Sequence, residues 1–176
     1  MTREYFSKKD ILIFLEIINE KLKKNGLKGE IALFGGSVMC VVYKARMLTK
    51  DIDAVFEPKN IIYATAEEIS KEYGLKKGWL NDSVKGFLSE KNDIQVYKKF
   101  SNLIIYTPVP EYMFALKCCS ARLGESSDIE DIKYLLGYLK IREHNQAVKI
   151  IEKYIPAKRI LPRTKYLLLE LLEGDQ

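Results

Sequence analysis

The sequence predicts an α+β fold, with a mixed β-sheet flanked by helices in front and an all-helical portion behind. Three observations carry this expectation. Short apolar runs at residues 31–34 and 51–56 are separated by segments with helical periodicity. Two further runs, residues 94–97 and 103–106, read as strands joined across residues 98–102. Pro108 and Pro110 then stop the sheet, and only helical patterns follow. We read residues 1–108 as the α/β core and residues 109–176 as a helical C-terminal portion packed on it, together one globular unit.

Each element has a local signal. Ser7 and Asp10 open a helix whose apolar positions are Ile11, Phe14, Leu15, Ile18 and Leu22, and Gly26 stands where it should end. The run Ile31-Ala32-Leu33-Phe34 breaks at Gly35-Gly36 and resumes over residues 37–43, which predicts strand, tight turn and short helix. Asp51-Ile52-Asp53 alternates polar with apolar before the strand ends at Pro58, placing both carboxylates on one face. Asn60 can cap a helix that runs through Tyr73 and closes at Gly74. Residues 75–80 are turn-rich and carry Trp79, and a short helix is expected over residues 81–87. Behind the sheet, helices are expected over residues 111–122, 128–139, 146–154 and 163–172.

Composition narrows the class of protein. The chain of 176 residues is 47% hydrophobic and 30% charged, with 10 Gly and 5 Pro, which suits an ordinary folded domain and not a disordered or fibrous chain. Its longest apolar stretches are interrupted by charge well short of the roughly 20 residues that cross a bilayer. No signal-peptide pattern opens the chain, so a cytoplasmic location without membrane partners is expected. Cys40 and the adjacent Cys118 and Cys119 suit neither a disulfide framework nor a zinc site. A net charge of +5 suits a polyanionic partner.

The chemistry concentrates in Gly35-Gly36-Ser37, followed after thirteen residues by Asp51-Ile52-Asp53. Glycines permit close backbone approach, so the turn can aim N–H groups and the Ser37 hydroxyl at triphosphate oxygens. Two carboxylates at period two on a strand can ligate magnesium, which prefers oxygen donors. Each half has an ordinary alternative, since such turns are common and an Asp-x-Asp pair is often a solvated edge. Their combination points to nucleotidyl transfer.

This arrangement resembles the nucleotidyltransferase superfamily, whose signature is a Gly-Gly-Ser turn followed by a carboxylate pair on the next strand. Arg46, Thr49-Lys50-Asp51-Ile52-Asp53 and, in the helical part, Lys117, Ala121, Arg122, Asp128 and Asp131 resemble the branch of abortive-infection (AbiE-type) toxin nucleotidyltransferases. The resemblance covers about residues 30 to 136. It implies a nucleotidyltransferase-like mixed sheet with a helical portion closing over a nucleoside triphosphate. It also implies that Asp51 and Asp53 bind Mg2+ or Mn2+, that Gly35, Gly36 and Ser37 hold the triphosphate, and that Lys117 contacts phosphate. Many members carry a third carboxylate as general base. Asp93, just before the run Ile94-Gln95-Val96-Tyr97, is the preferred candidate, with Asp82, Asp128 and Asp131 as alternatives.

The expected function is transfer of a nucleoside monophosphate to a hydroxyl acceptor. Transfer RNA or another RNA is one candidate acceptor, and a toxin-antitoxin or phage-defence setting would supply a cognate antitoxin. The alternative is a non-catalytic nucleotide- or RNA-binding module on a degenerate nucleotidyltransferase fold.

Overall fold

Asp10 sets the first long element in place. In a computed structural model that describes residues 3–122, 124 and 126–174, helix α1 (Lys8–Lys24) starts at a capping box. The Asp10 N–H donates to the Ser7 hydroxyl at 3.3 Å, and the Asp10 carboxylate accepts from the Ser7 N–H at 2.8 Å. Burial raises the Asp10 carboxyl pKa, but the Ser7 bonds and the Arg3 guanidinium outweigh it and hold the group below its ordinary range. Lys21, Lys23 and Lys24 complement the other end of the helix dipole. The predicted apolar positions of α1, Ile11, Phe14, Leu15, Ile18 and Leu22, are all buried.

The described chain is mixed α/β and divides into two compact units, residues 1–86 with 94–107, and residues 87–93 with 108–176. The first unit begins with β1 (Phe6–Ser7), which pairs antiparallel with β3 (Leu48–Thr49) in a two-stranded ribbon. Its main sheet holds β2 (Gly29–Phe34), β4 (Ile52–Glu57), β5 (Leu80–Asn81), β6 (Ile94–Lys99) and β7 (Leu103–Pro108), in the order β5-β4-β2-β7-β6. Strand β2 runs antiparallel to β4 and parallel to β7, and β5 runs parallel to β4. Helices α2 (Gly35–Val41) and α3 (Lys59–Tyr73) complete the unit. Trp79 is buried against Phe6 and Phe14, and its indole N–H donates to the Ala66 carbonyl at 2.9 Å. This tryptophan is a core residue.

Three local differences from expectation have physical causes. Helix α2 starts at Gly35, two residues earlier than the apolar pattern marks, because Gly35 adopts φ +61 directly after the strand. The helix expected over residues 81–87 is instead the end of β5 and a 3-10 turn at Ser83–Gly86. There the Asn81 side-chain oxygen accepts the Ser83 N–H at 3.1 Å, a local bond that competes with helix formation. The ribbon strands β1 and β3 are too short to leave a periodic signal.

The second unit is helical: α4 (Pro110–Ser120), α5 (Ser126–Tyr138), α6 (His144–Tyr154) and α7 (Pro162–Glu173). Seven successive buried residues, Tyr112 to Cys118, make α4 its central helix, packed by α5 and α6. The unit also takes in residues 87–93, which the sequence places with the sheet. The Ser89 N–H donates to the Tyr112 hydroxyl at 3.2 Å, the Tyr154 hydroxyl to the Asp93 carboxylate at 3.0 Å, and the Val109 N–H to the Asp93 carbonyl at 3.0 Å. Among the described residues no helix is long and apolar enough to cross a membrane.

Replacing Ser7 by Ala removes the cap of α1 while leaving its buried face intact. The expected loss is about 1 kcal/mol of unfolding free energy, seen as a lower urea midpoint at unchanged m-value.

Candidate functional site

The β2/β4 register decides the site. It pairs Phe34 with Asp53, so Gly35, the next residue along the chain, lies at the same end of the sheet as the carboxylates. The approach is close enough that a Cβ built on Gly35 would stand 2.8 Å from Asp53 Oδ2. A Cβ on Gly36 would stand 2.8 Å from Thr49 Oγ1 and 3.0 Å from Arg46 Nη1. A Cβ at either glycine would force a neighbouring side chain to shift, and Gly35 is favoured also by its positive φ. A carboxylate, a guanidinium and a hydroxyl converge on two residues without side chains.

Alternation along β4 explains the placement of the acids. Ile52, Ala54 and Phe56 point into the core, which leaves Asp51 and Asp53 on the opposite face. Asp51 stands one residue ahead of β4, its side chain 46% exposed, with Lys76 Nζ 3.9 Å from Oδ2. The ion pair is long and solvated, so it constrains Asp51 weakly. Ser37 is fully buried, and its hydroxyl donates to the Phe34 carbonyl at 2.7 Å. That hydroxyl, which the sequence suggests for the triphosphate, fastens the turn instead. Only the backbone N–H of Ser37 fits the expected role.

The donor set suits a hard cation. Two carboxylates share one face, and magnesium characteristically takes one or two carboxylates together with waters and phosphate oxygens. Among the described residues no group of three or more His, Cys, Asp and Glu side chains gathers in a metal-holding cluster. The strand beside Asp53 presents Asn81 in register with it, and the Asn81 side-chain oxygen is taken by the Ser83 N–H and hydroxyl. Nothing in the sequence singles out Asn81, because β5 is only two residues long. Asp82, one residue on, accepts from Lys59 at 2.7 Å, from the Tyr63 hydroxyl at 2.6 Å and from Lys85 at 3.1 Å. The Lys59 bond, then those of Tyr63 and Lys85, hold its carboxyl far below the usual range.

The remaining candidates belong to the second unit. Lys117 is buried on α4, with Nζ 2.6 Å from Asp131 Oδ2 and 3.3 Å from Asp128 Oδ1. The Arg122 N–H donates to Asp128 Oδ2 at 3.3 Å. A buried lysine needs such partners whatever else it does, since an unpaired buried charge costs several kcal/mol. Asp93 is exposed and accepts from Tyr154, whose hydroxyl pKa is raised by burial and by this carboxylate. The structure thus brings together Gly35, Gly36, Asp53, Arg46 and Thr49, with Asp51 on the same face as Asp53. Separately, it brings Lys117 together with Asp128 and Asp131.

The chain matches no protein-family model, no curated protein and no solved structure with which it was compared.

Gly35→Ala should lower stability by about 1–2 kcal/mol through left-handed strain, and should also displace Asp53 and weaken manganese binding followed by titration. Gly26→Ala is the control, because Gly26 has φ +64 with nothing within 4 Å; it should lose stability alone. The depressed Asp82 carboxyl gives a signed pH effect. Its stabilising contribution is complete above the ordinary carboxyl value of 3.8 and is lost as pH falls through the lower folded value. Asp82→Asn should therefore flatten the acid limb of the stability curve and leave the neutral region parallel to wild type.

Proposed function

We propose that this chain is a magnesium-dependent nucleotidyltransferase built on a nucleotidyltransferase-like fold. The observation that carries the proposal is the contact between the turn and the acid, with Gly35 pressed against the Asp53 carboxylate through the β2/β4 register. Phosphate-binding backbone and cation-binding carboxylates then share one end of one sheet.

Asp51 and Asp53 would hold Mg2+ or Mn2+, which supplies charge neutralisation to the triphosphate and the pyrophosphate leaving group. The N–H groups of Gly36 and Ser37 donate to phosphate oxygens. Arg46, packed on Gly36, and Lys76, beside Asp51, add positive charge on the same side. The acceptor hydroxyl oxygen forms a bond to the α-phosphorus of the nucleoside triphosphate while the bond from that phosphorus to the bridging oxygen breaks. Pyrophosphate departs, and the hydroxyl proton passes to water. An RNA acceptor such as transfer RNA draws support from charge. The second unit balances its charges, so the whole +5 excess falls on the unit that holds the turn and the acids.

One observation favours a second reading, a non-catalytic nucleotide- or RNA-binding module. The strand next to Asp53 offers the amide Asn81, with its carbonyl oxygen already engaged, where a carboxylate would complete an acidic triad. Such a module would bind magnesium-nucleotide without turnover.

The two readings separate in one assay, incubation with each labelled nucleoside triphosphate, magnesium or manganese, and total RNA. Wild type should transfer label, and Asp51→Asn or Asp53→Asn should lower transfer by about 100-fold or more. Magnesium-dependent nucleotide binding by wild type, with no label on RNA, protein or small acceptors, would select the binding module.

A further inference from the structure

The ribbon β1–β3 has two unlike faces. Its register pairs Phe6 with Thr49 and Ser7 with Leu48. Phe6 and Thr49 are buried, at 0% and 3% exposure, and Thr49 Oγ1 lies against Gly36. Alternation then sends Leu48, and beside it Tyr5 and Lys50, to the opposite face. Tyr5 is 46% exposed, Leu48 49% and Met47 86%, and Lys50 Nζ stands 5.9 Å from the centre of the Tyr5 ring. An apolar and aromatic surface therefore sits on the outside of the element whose inner side touches the candidate phosphate turn.

This exposure is built in. The Cys40 thiol donates to the Met47 carbonyl at 3.4 Å, the Ala45 N–H to the Met39 carbonyl at 3.0 Å, and Lys8 Nζ to the Val41 carbonyl at 2.8 Å. The loop is fastened at Ala45 and Met47, after a helix end fastened at Val41, and still leaves Met47 and Leu48 out to water. Scattered exposed apolar residues need no explanation, but a contiguous group on a fastened element marks a surface that something covers. Charge identifies what. Lys44 precedes the apolar tip in the chain and Lys50 follows it, on the unit that carries the whole positive excess, while Glu4 next to Tyr5 and Asp51 next to Lys50 are the acidic neighbours and Lys76 stands at Asp51. Exposed apolar and aromatic side chains with a lysine beside the ring fit a single strand of bases and phosphates. Bases lie on an aromatic ring and a thioether, and phosphates lie on the lysines.

We propose that the outward face of this ribbon, Tyr5, Leu48 and Lys50, together with the exposed Met47 that precedes it in the chain, docks a single-stranded polynucleotide and presents one of its hydroxyl groups to the candidate site as the acceptor. The acceptor role rests on the nucleotidyl-transfer reading; the docking itself does not.

The test measures two bindings on the whole chain. Anisotropy of a labelled mixed-sequence oligoribonucleotide of about 20 nucleotides reports docking, and titration with magnesium-ATP reports the candidate nucleotide site. The double variant Met47→Glu, Leu48→Gln should weaken oligonucleotide binding at least about tenfold, and Tyr5→Ala should weaken it severalfold, both with magnesium-ATP binding unchanged. Raising the salt concentration should weaken wild-type binding steeply. Asp51→Asn with Asp53→Asn should abolish magnesium-ATP binding and leave the oligonucleotide bound. Wild type that docks the oligonucleotide but does not bind magnesium-ATP would overturn nucleotidyl transfer and keep the docking surface. Wild type without affinity for the oligonucleotide, or ribbon variants that bind as wild type does, would overturn the docking surface. So would a concentration-dependent dimer that Met47→Glu disperses, because the ribbon would then be covered by a second copy.

Discussion

The antiparallel pairing of β2 with β4 is the constraint on which the candidate site depends. Matching Phe34 with Asp53 sets the Asp53 carboxylate beside the residue that follows Phe34, with Oδ2 2.8 Å from where a Cβ on that residue would stand. Gly35 answers that constraint twice, by lacking a Cβ where Asp53 Oδ2 stands and by adopting φ +61. The buried Ser37 hydroxyl closes the same turn on the Phe34 carbonyl. A one-residue slip of β4 would turn Asp53 into the core and bring Ile52 and Ala54 to the solvated face. The burial of Ile52, Ala54 and Phe56 therefore holds the carboxylates in place from the other side of the strand.

The second unit depends on a different interaction, the pairing of Lys117 with Asp131 and Asp128 beneath the surface of a helix packed by two others. A lysine inside seven successive buried residues is tolerated only because two carboxylates from the start of α5 meet it. Asp128 also lies in the first turn of α5, where a helix N-terminus favours negative charge, while Asp131 is held by its ion pair with Lys117. The tyrosines act similarly in fastening residues 87–93, through Tyr112 to Ser89 and Tyr154 to Asp93.

The two units divide the charge as they divide the residues. With the whole excess of +5 on the first unit, its surface attracts polyanions over distances set by the screening length, about 10 Å at ordinary ionic strength. Close contact must then distinguish one polyanion from another. In the proposed docking, the exposed Tyr5 and Leu48 of the β1–β3 ribbon, with Lys50 beside the Tyr5 ring, would make that distinction.

Much of this was legible in the residues themselves. The amphipathic pattern of α1, its Ser7 cap, the strand-turn-helix around Gly35-Gly36, the alternation of β4 and the helical run after Pro110 are all local, written in spacing of 2 or 3.6 residues. So is the chemistry of Asp51 and Asp53 as oxygen donors on one face. What the sequence could not contain is register and partnership. That Asn81 stands beside Asp53, that Asp82 is engaged by Lys59, Tyr63 and Lys85, that Ser37 turns inward, and that residues 87–93 join the helical unit each depend on contacts between segments far apart in the chain. Two-residue strands carry no periodicity, and hydrogen bonds between distant residues leave no mark on spacing. Local sequence determined which elements form and which faces are polar; tertiary structure decided which polar groups meet, because that choice is made by sheet register and packing.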